Sequence, residues 1–253
     1  MHIIPIPAFN DNYLWLLHDD QFAAAVDPGD ATPILQILKQ KKLTLTHILV
    51  THHHMDHVGG IRTLKAHFPN VIVYGPNCGR ISCIDHAMTE SDQIDLHTLG
   101  KYQVIEVPGH TSSHLAYFGE QSLFIGDTVF AAGCGRLFEG TPKQMVNSFE
   151  KIKKLPVDTK IYCAHEYTLS NLKFARTVDP NNEALKEREI QCLQMRKQGL
   201  PTVPFTLAEE LQCSPFFRYD ALEIQKAASQ KAGKNINTSV ETFTVIRSWK
   251  DSF

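Results

Sequence analysis

The sequence predicts an α+β fold in two parts, a mixed strand-and-helix region over residues 1–169 and a smaller all-helical region over 170–253. Three observations carry this. Short apolar runs with strand character alternate with amphipathic helices through the first part. Several of those strands end directly in side chains that bind metals well. After Thr168 the chain becomes rich in Leu, Lys, Glu and Gln at helical spacing, with probable helices over Glu183–Gln198 and Ala221–Ala232.

Composition narrows the functional classes. With 25 basic and 27 acidic side chains the formal charge is −2. There is no basic field for nucleic acid and no acidic tail. No apolar run approaches the ~20 residues that span a membrane. The N-terminus, Met1-His2-Ile3-Ile4-Pro5, lacks the basic region and long apolar core of a signal peptide. The six cysteines, at 78, 83, 134, 163, 192 and 213, form no Cys-x-x-Cys pair. Their scatter predicts reduced thiols in a cytoplasmic protein rather than a thiolate zinc site.

The elements follow in order. Residues 1–27 read as antiparallel strands, with Asp19-Asp20 turning the chain between Tyr13–His18 and Gln21–Asp27. Asp27-Pro28-Gly29-Asp30 is a sharp stop, and Asp27 is either a turn former or a carboxylate that orients a histidine. Ala31–Lys41 reads as an amphipathic helix through Ile34, Leu35 and Leu38. Ile48-Leu49-Val50 is a buried strand, and Ile61–Phe68 a helix. Val71–Tyr74 is a further strand, and residues 77–100 carry no strong signal. Strands follow at Tyr102–Val107, Leu115–Phe118, Ser122–Ile125 and Lys160–Ala164, with a helix over Pro142–Leu155.

The chemistry gathers at strand ends. Thr51-His52-His53-His54-Met55-Asp56-His57 lies between the Ile48–Val50 strand and the next helix. On extended chain, residues two apart point the same way, so His52 and His54 can grip one ion while His53 points elsewhere. Asp56 and His57 lie past the bend and can reach a second. His110, Asp127 and His165 each follow a further strand end. Sites in α/β proteins collect where strand ends and loops converge. Imidazole and carboxylate ligands without thiolate suit zinc, iron or manganese.

These residues resemble the signature of the metallo-β-lactamase superfamily, Thr-His-x-His-x-Asp-His followed by His110, Asp127 and His165. Within it the chain is similar to glyoxalase II, the hydroxyacylglutathione hydrolases. That closer likeness rests on Asn10-Asp11-Asn12-Tyr13, on Gly133-Cys134-Gly135-Arg136-Leu137-Phe138-Glu139-Gly140-Thr141, on Cys163-Ala164-His165-Glu166-Tyr167-Thr168, and on the tail Arg247-x-x-Lys250-Asp251-x-Phe253. The resemblance implies a four-layer αββα sandwich as catalytic domain over residues 1–169, and a helical glutathione-binding domain over 170–253. It implies two divalent metal ions, zinc first, with iron or manganese as alternatives. His52, His54 and His110 would hold one, Asp56, His57 and His165 the other, and Asp127 would bridge both.

The implied activity is hydrolysis of S-D-lactoylglutathione and related 2-hydroxyacylglutathiones to glutathione and D-lactate, in methylglyoxal detoxification. The nucleophile would be a metal-bridging hydroxide attacking the thioester carbonyl, with Asp56 as a partner for its proton. A thiolate of pKa near ~8.5 leaves without a strong general acid. The serines and Cys134 are therefore read as non-catalytic. Arg136, Phe138 and Tyr167 from the first part, with Arg247 and Lys250 from the tail, would contact the glutathione moiety. Relatives commonly carry Tyr at the place of Phe138, Lys at that of Arg136 and Gly at that of Ser113; His114 is read as structural. The expected partner is a small-molecule thioester, with no nucleic acid and no membrane, and a monomer is expected. The alternative in another class is a mononuclear-iron glutathione persulfide dioxygenase, which needs only three protein ligands. The complete second ligand set counts against it.

Overall fold

The computed structural model describes residues 1–253, which divide by contact into two compact units. The first comprises residues 1–106 and 113–126, and the second 107–112 and 127–253.

The first unit opens with β1 (His2–Ala8), β2 (Asn12–His18) and β3 (Phe22–Val26), an antiparallel meander. Helix α1 (Ala31–Lys41) follows, capped by Asp30, whose carboxylate accepts from Thr32 N. It returns the chain to β4 (Thr44–Leu49), which pairs parallel to β3. A single turn, α2 (Met55–Val58), and α3 (Ile61–His67) lead to β5 (Ile72–Pro76) and β6 (His86–Met88), both parallel. Because β3, β4 and β5 run the same way, Asp27 and the histidine-rich loop leave the sheet at one edge. Antiparallel strands β7 (Gln93–Asp95), β8 (Lys101–Glu106), β9 (Leu115–Gly119) and β10 (Ser122–Gly126) complete the unit. The stretch 77–100, silent in the sequence, thus holds two three-residue strands and a 3₁₀ turn. Elements that short cannot show a period.

All seven residues of β2 are buried, so both faces of its sheet are covered. On one face Leu14, Leu16, Ala25, Ile48 and Val73 pack with Ile34 and Leu38 of α1 and Leu64 of α3. From β9, the wholly buried Tyr117 sends its hydroxyl to the carbonyl of Val50, 2.6 Å away. Burial pushes that phenol's pKa well up, so it stays a donor. The contact pins the last residue before the ligand loop.

The second unit begins with a two-strand hairpin, β11 (Val129–Phe130) and β12 (Gly133–Cys134). Helix α4 (Pro142–Ile152) starts in a capping box between Thr141 and Gln144. Strand β13 (Lys160–Cys163) and helices α5 (Thr168–Val178) and α6 (Glu183–Lys197) follow, and β14 (Phe205–Thr206) pairs back on β13. Helices α7 (Leu207–Cys213), α8 (Leu222–Ala232) and α9 (Ser239–Asp251) end the chain. The aromatic rings of Phe149, Phe174, Phe216, Phe217, Tyr219 and Phe243 interlock at centroid distances of 4.6–6.2 Å. The helical character expected after Thr168 is what forms, in α5 through α9, but the region is not all-helical, because the two residues of β14 extend the pairing of β13.

Tyr117→Phe removes one buried donor and leaves the Val50 carbonyl one partner short. Roughly 1 kcal/mol of stability should be lost, read as a lower urea midpoint at unchanged slope. An unshifted midpoint would show that the hydroxyl does not anchor β4.

Candidate metal centre

Each unit contributes its own His/Asp cluster, of a chemistry that binds metal ions. In the first, the strand ends supply the ligands and a buried carboxylate aims them. Asp27 sits just past β3 with φ 50°, a left-handed conformation that Asp tolerates. Its Oδ1 accepts from Thr51 N and its Oδ2 from Thr51 Oγ1, both at 2.7 Å. The same Oδ2 lies 3.0 Å from His57 Nδ1. A carboxylate beside Nδ1 is placed to steady the His57 ring with Nε2 turned away from it. Asp27 thus both turns the chain and stands beside a histidine.

His52 and His54 do point the same way. His52 Nε2 and His54 Nδ1 are 3.0 Å apart, and the rings are 4.7 Å centre to centre. His53 turns aside and meets Arg80 Nη1 at 3.0 Å. Asp56 and His57 lie in the helical turn α2 rather than in loose loop. His57 Nε2 stands 3.5 Å from Asp56 Oδ2, which also accepts from Asn12 Nδ2 at 3.0 Å. This turn presses on the Asp27–Gly29 corner so closely that a Cβ on Gly29 would lie 1.8 Å from the Asp56 carbonyl oxygen. His114 is buried against the first loop, its ring stacked 4.5 Å from that of His52 and its Nδ1 on the Leu115 carbonyl at 3.0 Å. That is the structural role expected for it.

In the second unit Asp127 is the centre. Its Oδ2 lies 3.6 Å from His110 Nε2, and its Oδ1 lies 3.4 Å from His165 Nε2. The two oxygens thus face different imidazoles. His110 Nδ1 donates to the Arg136 carbonyl at 2.9 Å, which leaves Nε2 unprotonated and facing Asp127. His165 stacks face to face on Tyr167, with 4.7 Å between centroids and 6° between planes. Gly135 allows the next loop to touch this cluster, since a Cβ there would stand 2.0 Å from the Asp127 carbonyl oxygen.

The donor sets fit a metal. Ligand atoms about 2.0–2.2 Å from a shared tetrahedral ion lie roughly 3.3–3.6 Å from one another. The Asp56–His57 contact and both Asp127–His contacts, at 3.4–3.6 Å, fall in that range. They are long for hydrogen bonds, which prefer about 2.7–3.2 Å.

A cleft of about 520 Å³ in the second unit runs from His110 and Asp127 to Arg136, Arg247 and Lys250. Phe138, 62 % exposed, forms one lip and sets its ring edge-on to His110 at 5.2 Å. Tyr167 forms part of another wall. The three cations differ in freedom. Arg136 is exposed, with Nε 3.6 Å from Asp251 Oδ1. Arg247 is only 4 % exposed; its Nη1 donates to the Cys134 carbonyl at 2.6 Å and its Nη2 to Asp251 at 3.0 Å. Lys250 lies over the Phe174 ring, and burial, then the neighbouring Arg247, hold its pKa down at about 8. Cys134 is buried, and that burial raises its thiol pKa, in keeping with a non-catalytic cysteine. Asn12, Asp251 and the Cys134 carbonyl lay outside the sequence reading as site residues. Only the motifs containing them could have pointed there, because their partners are distant in the chain.

Comparison with known proteins agrees with this geometry. Residues 10–165 match the family model described as the metallo-beta-lactamase superfamily, and residues 166–253 match the hydroxyacylglutathione hydrolase C-terminus. A hydroxyacylglutathione hydrolase of Photobacterium profundum is 48 % identical over 249 residues, covering 98 % of each chain. One from Aeromonas hydrophila is 48 % identical over 253 residues, covering 99 % of each. Among solved structures, ETHE1 from Myxococcus xanthus superposes with a TM-score of 0.69 at 22 % identity, over 98 % of this chain and 91 % of its own. At that identity the likeness shows the fold alone.

Asp27→Asn replaces the carboxylate that orients His57 with an amide that accepts fewer hydrogen bonds. Metal affinity should fall by about 10–100-fold, measured by competition with a chromophoric chelator. Wild-type affinity would mean that Asp27 only shapes the turn.

Proposed function

The chain belongs to the hydroxyacylglutathione hydrolases of the metallo-β-lactamase superfamily, and from that premise we propose how its residues divide the work. It is a metallo-β-lactamase-fold hydrolase with glyoxalase II activity, cleaving the thioester of a hydroxyacylglutathione. In our reading the substrate is S-D-lactoylglutathione and the products are glutathione and D-lactate. The observation that supports this most is the cleft that joins a His/Asp cluster to a cationic wall. A thioester needs the first, and the carboxylates of glutathione suit the second.

We assign two divalent ions, zinc in preference to iron or manganese. His52, His54 and His110 would hold one, Asp56, His57 and His165 would hold the other, and Asp127 would serve both. Bound there, such a pair supplies a water of lowered pKa as nucleophile and an electrophile for the carbonyl oxygen. The division of the two Asp127 oxygens between His110 and His165 supports a bridging role. Asn12 steadies Asp56 through Oδ2, which suits Asp56 to keep a proton in place at the other oxygen. A thiolate leaving group needs no general acid from the neighbouring side chains.

The glutathione moiety is assigned to Arg136, Phe138, Tyr167, Arg247 and Lys250. Arg247 already spends Nη1 and Nη2 on Cys134 and Asp251, so it offers the substrate charge more than new hydrogen bonds. Lys250 and the exposed Arg136 are the cations able to move onto a carboxylate. Phe138 offers an apolar edge and no hydroxyl. The meeting of the two family matches at residues 165 and 166 supports a catalytic part to about residue 169 and a substrate-binding part beyond it. A cytoplasmic monomer is our reading of the compartment and assembly; all six cysteines are free thiols and no helix is long and apolar enough to cross a membrane.

His54→Ala should lose bound metal and reduce turnover of S-D-lactoylglutathione by at least about 100-fold. Metal content and the decay of thioester absorbance are read on one sample. Full turnover after the substitution would remove the metal mechanism.

Lys250 gives a pH test with a definite sign. Burial and Arg247 lower its pKa to about 8, while Asp251 and Cys134 favour its charge and Arg136 opposes it. The cation that binds a carboxylate is present below that pH and is lost above it. KM should rise by up to about tenfold from pH 7 to pH 9, and Lys250→Met should flatten that rise. The same rise in the variant would assign it to another group.

A further inference from the structure

The hairpin between β11 and β12 holds Ala132 at φ 54°, a left-handed conformation that residues with side chains adopt at a cost. Neighbouring groups hold it there. Ala132 N–H donates to both carboxylate oxygens of Glu210 on α7, at 3.0 and 3.1 Å. The Ala131 carbonyl accepts from Asn171 Nδ2 at 3.0 Å. Glu210 is wholly buried, and Arg188 of α6, 5 % exposed, meets its charge with Nη1 at 2.7 Å.

A buried ion pair is a costly way to join two helices, and apolar side chains of similar volume often do as well or better. What they cannot do is accept a backbone N–H. The chain beyond Ala132 runs directly into the cleft. The Cys134 carbonyl receives Arg247, the Arg136 carbonyl receives His110, and Gly135 packs on the Asp127 backbone. Neither Glu210 nor Arg188 lines that cleft.

We propose that the Glu210–Arg188 pair is a positioning device for thioester hydrolysis, in which Glu210 fixes the Ala132 N–H and so sets the Cys134–Arg136 segment against the substrate's carboxylates. This rests on the thioesterase reading. Both residues act through the hairpin and neither touches substrate.

The test separates position from stability. Glu210→Gln keeps an acceptor for Ala132 but leaves Arg188 without a counter-charge. The double variant Glu210→Leu with Arg188→Met removes the acceptor and the charges together. Steady-state kinetics on S-D-lactoylglutathione and thermal melts are recorded for the metal-loaded enzymes. Glu210→Gln should melt lower with KM within twofold of wild type. The double variant should melt near wild type with KM raised about tenfold, kcat within threefold and metal content unchanged. Hydrolysis of S-lactoyl-N-acetylcysteamine, which lacks the glutathione carboxylates, should not change. Should the double variant not fold, Glu210→Ala, assayed at a temperature where it is folded, serves the same arm. A KM that follows the melting temperature across these variants, or one unaltered in the double variant, overturns the proposal. A wild-type enzyme that leaves S-D-lactoylglutathione intact would instead overturn the substrate reading.

Discussion

One buried carboxylate governs the geometry of the first ligand cluster. Asp27 ties the end of β3 to Thr51 at the end of β4 and to the imidazole of His57. The parallel pairing of β3 with β4 brings those ends together, and Gly29 lets the α2 turn close on them without a Cβ in the way. A hydrogen-bonded buried carboxylate is costly to misplace, since either oxygen left unpaired forfeits its desolvation energy. The position of His57 and, through α2, of Asp56 follows from that constraint.

The second cluster uses a similar device with different parts. Asp127 follows β10 as Asp27 follows β3, but here the carboxylate itself faces the two imidazoles and the backbone does the orienting. The Arg136 carbonyl fixes the His110 tautomer, and Tyr167 and Phe130 hold the His165 ring from its face and edge. A histidine that donates one nitrogen to a fixed acceptor has the other committed as a lone pair. His110 is thus held with Nε2 towards Asp127 by the protein itself.

The cationic wall is built less rigidly. Arg247 is locked beneath the Cys134 carbonyl, whereas Arg136 is exposed and Lys250 sits partly desolvated on an aromatic face. A locked guanidinium sets a field in the cleft. Arg136 and Lys250 are held by fewer hydrogen bonds than Arg247. Asp251 keeps the guanidiniums of Arg136 and Arg247 from facing each other without a counter-charge.

Much of this was legible in the sequence because it is local. The His52/His54 pair follows from the two-residue period of extended chain, and His110, Asp127 and His165 announce themselves as polar residues directly after apolar runs. The helical region after Thr168 follows from its spacing. Residues 77–100 were illegible because their strands are three residues long. Other features were decided only by tertiary structure: that Asn12 reaches Asp56 across 44 positions, that Asp27 reaches Thr51 across 24, and that Arg247 is spent on Cys134 across 113. Sequence alone determined which side chains could do the chemistry and on which strand ends they stand. Which nitrogen each histidine offers, and how much of each cation is left for a substrate, depended on packing, because hydrogen-bond partners are chosen by proximity in space.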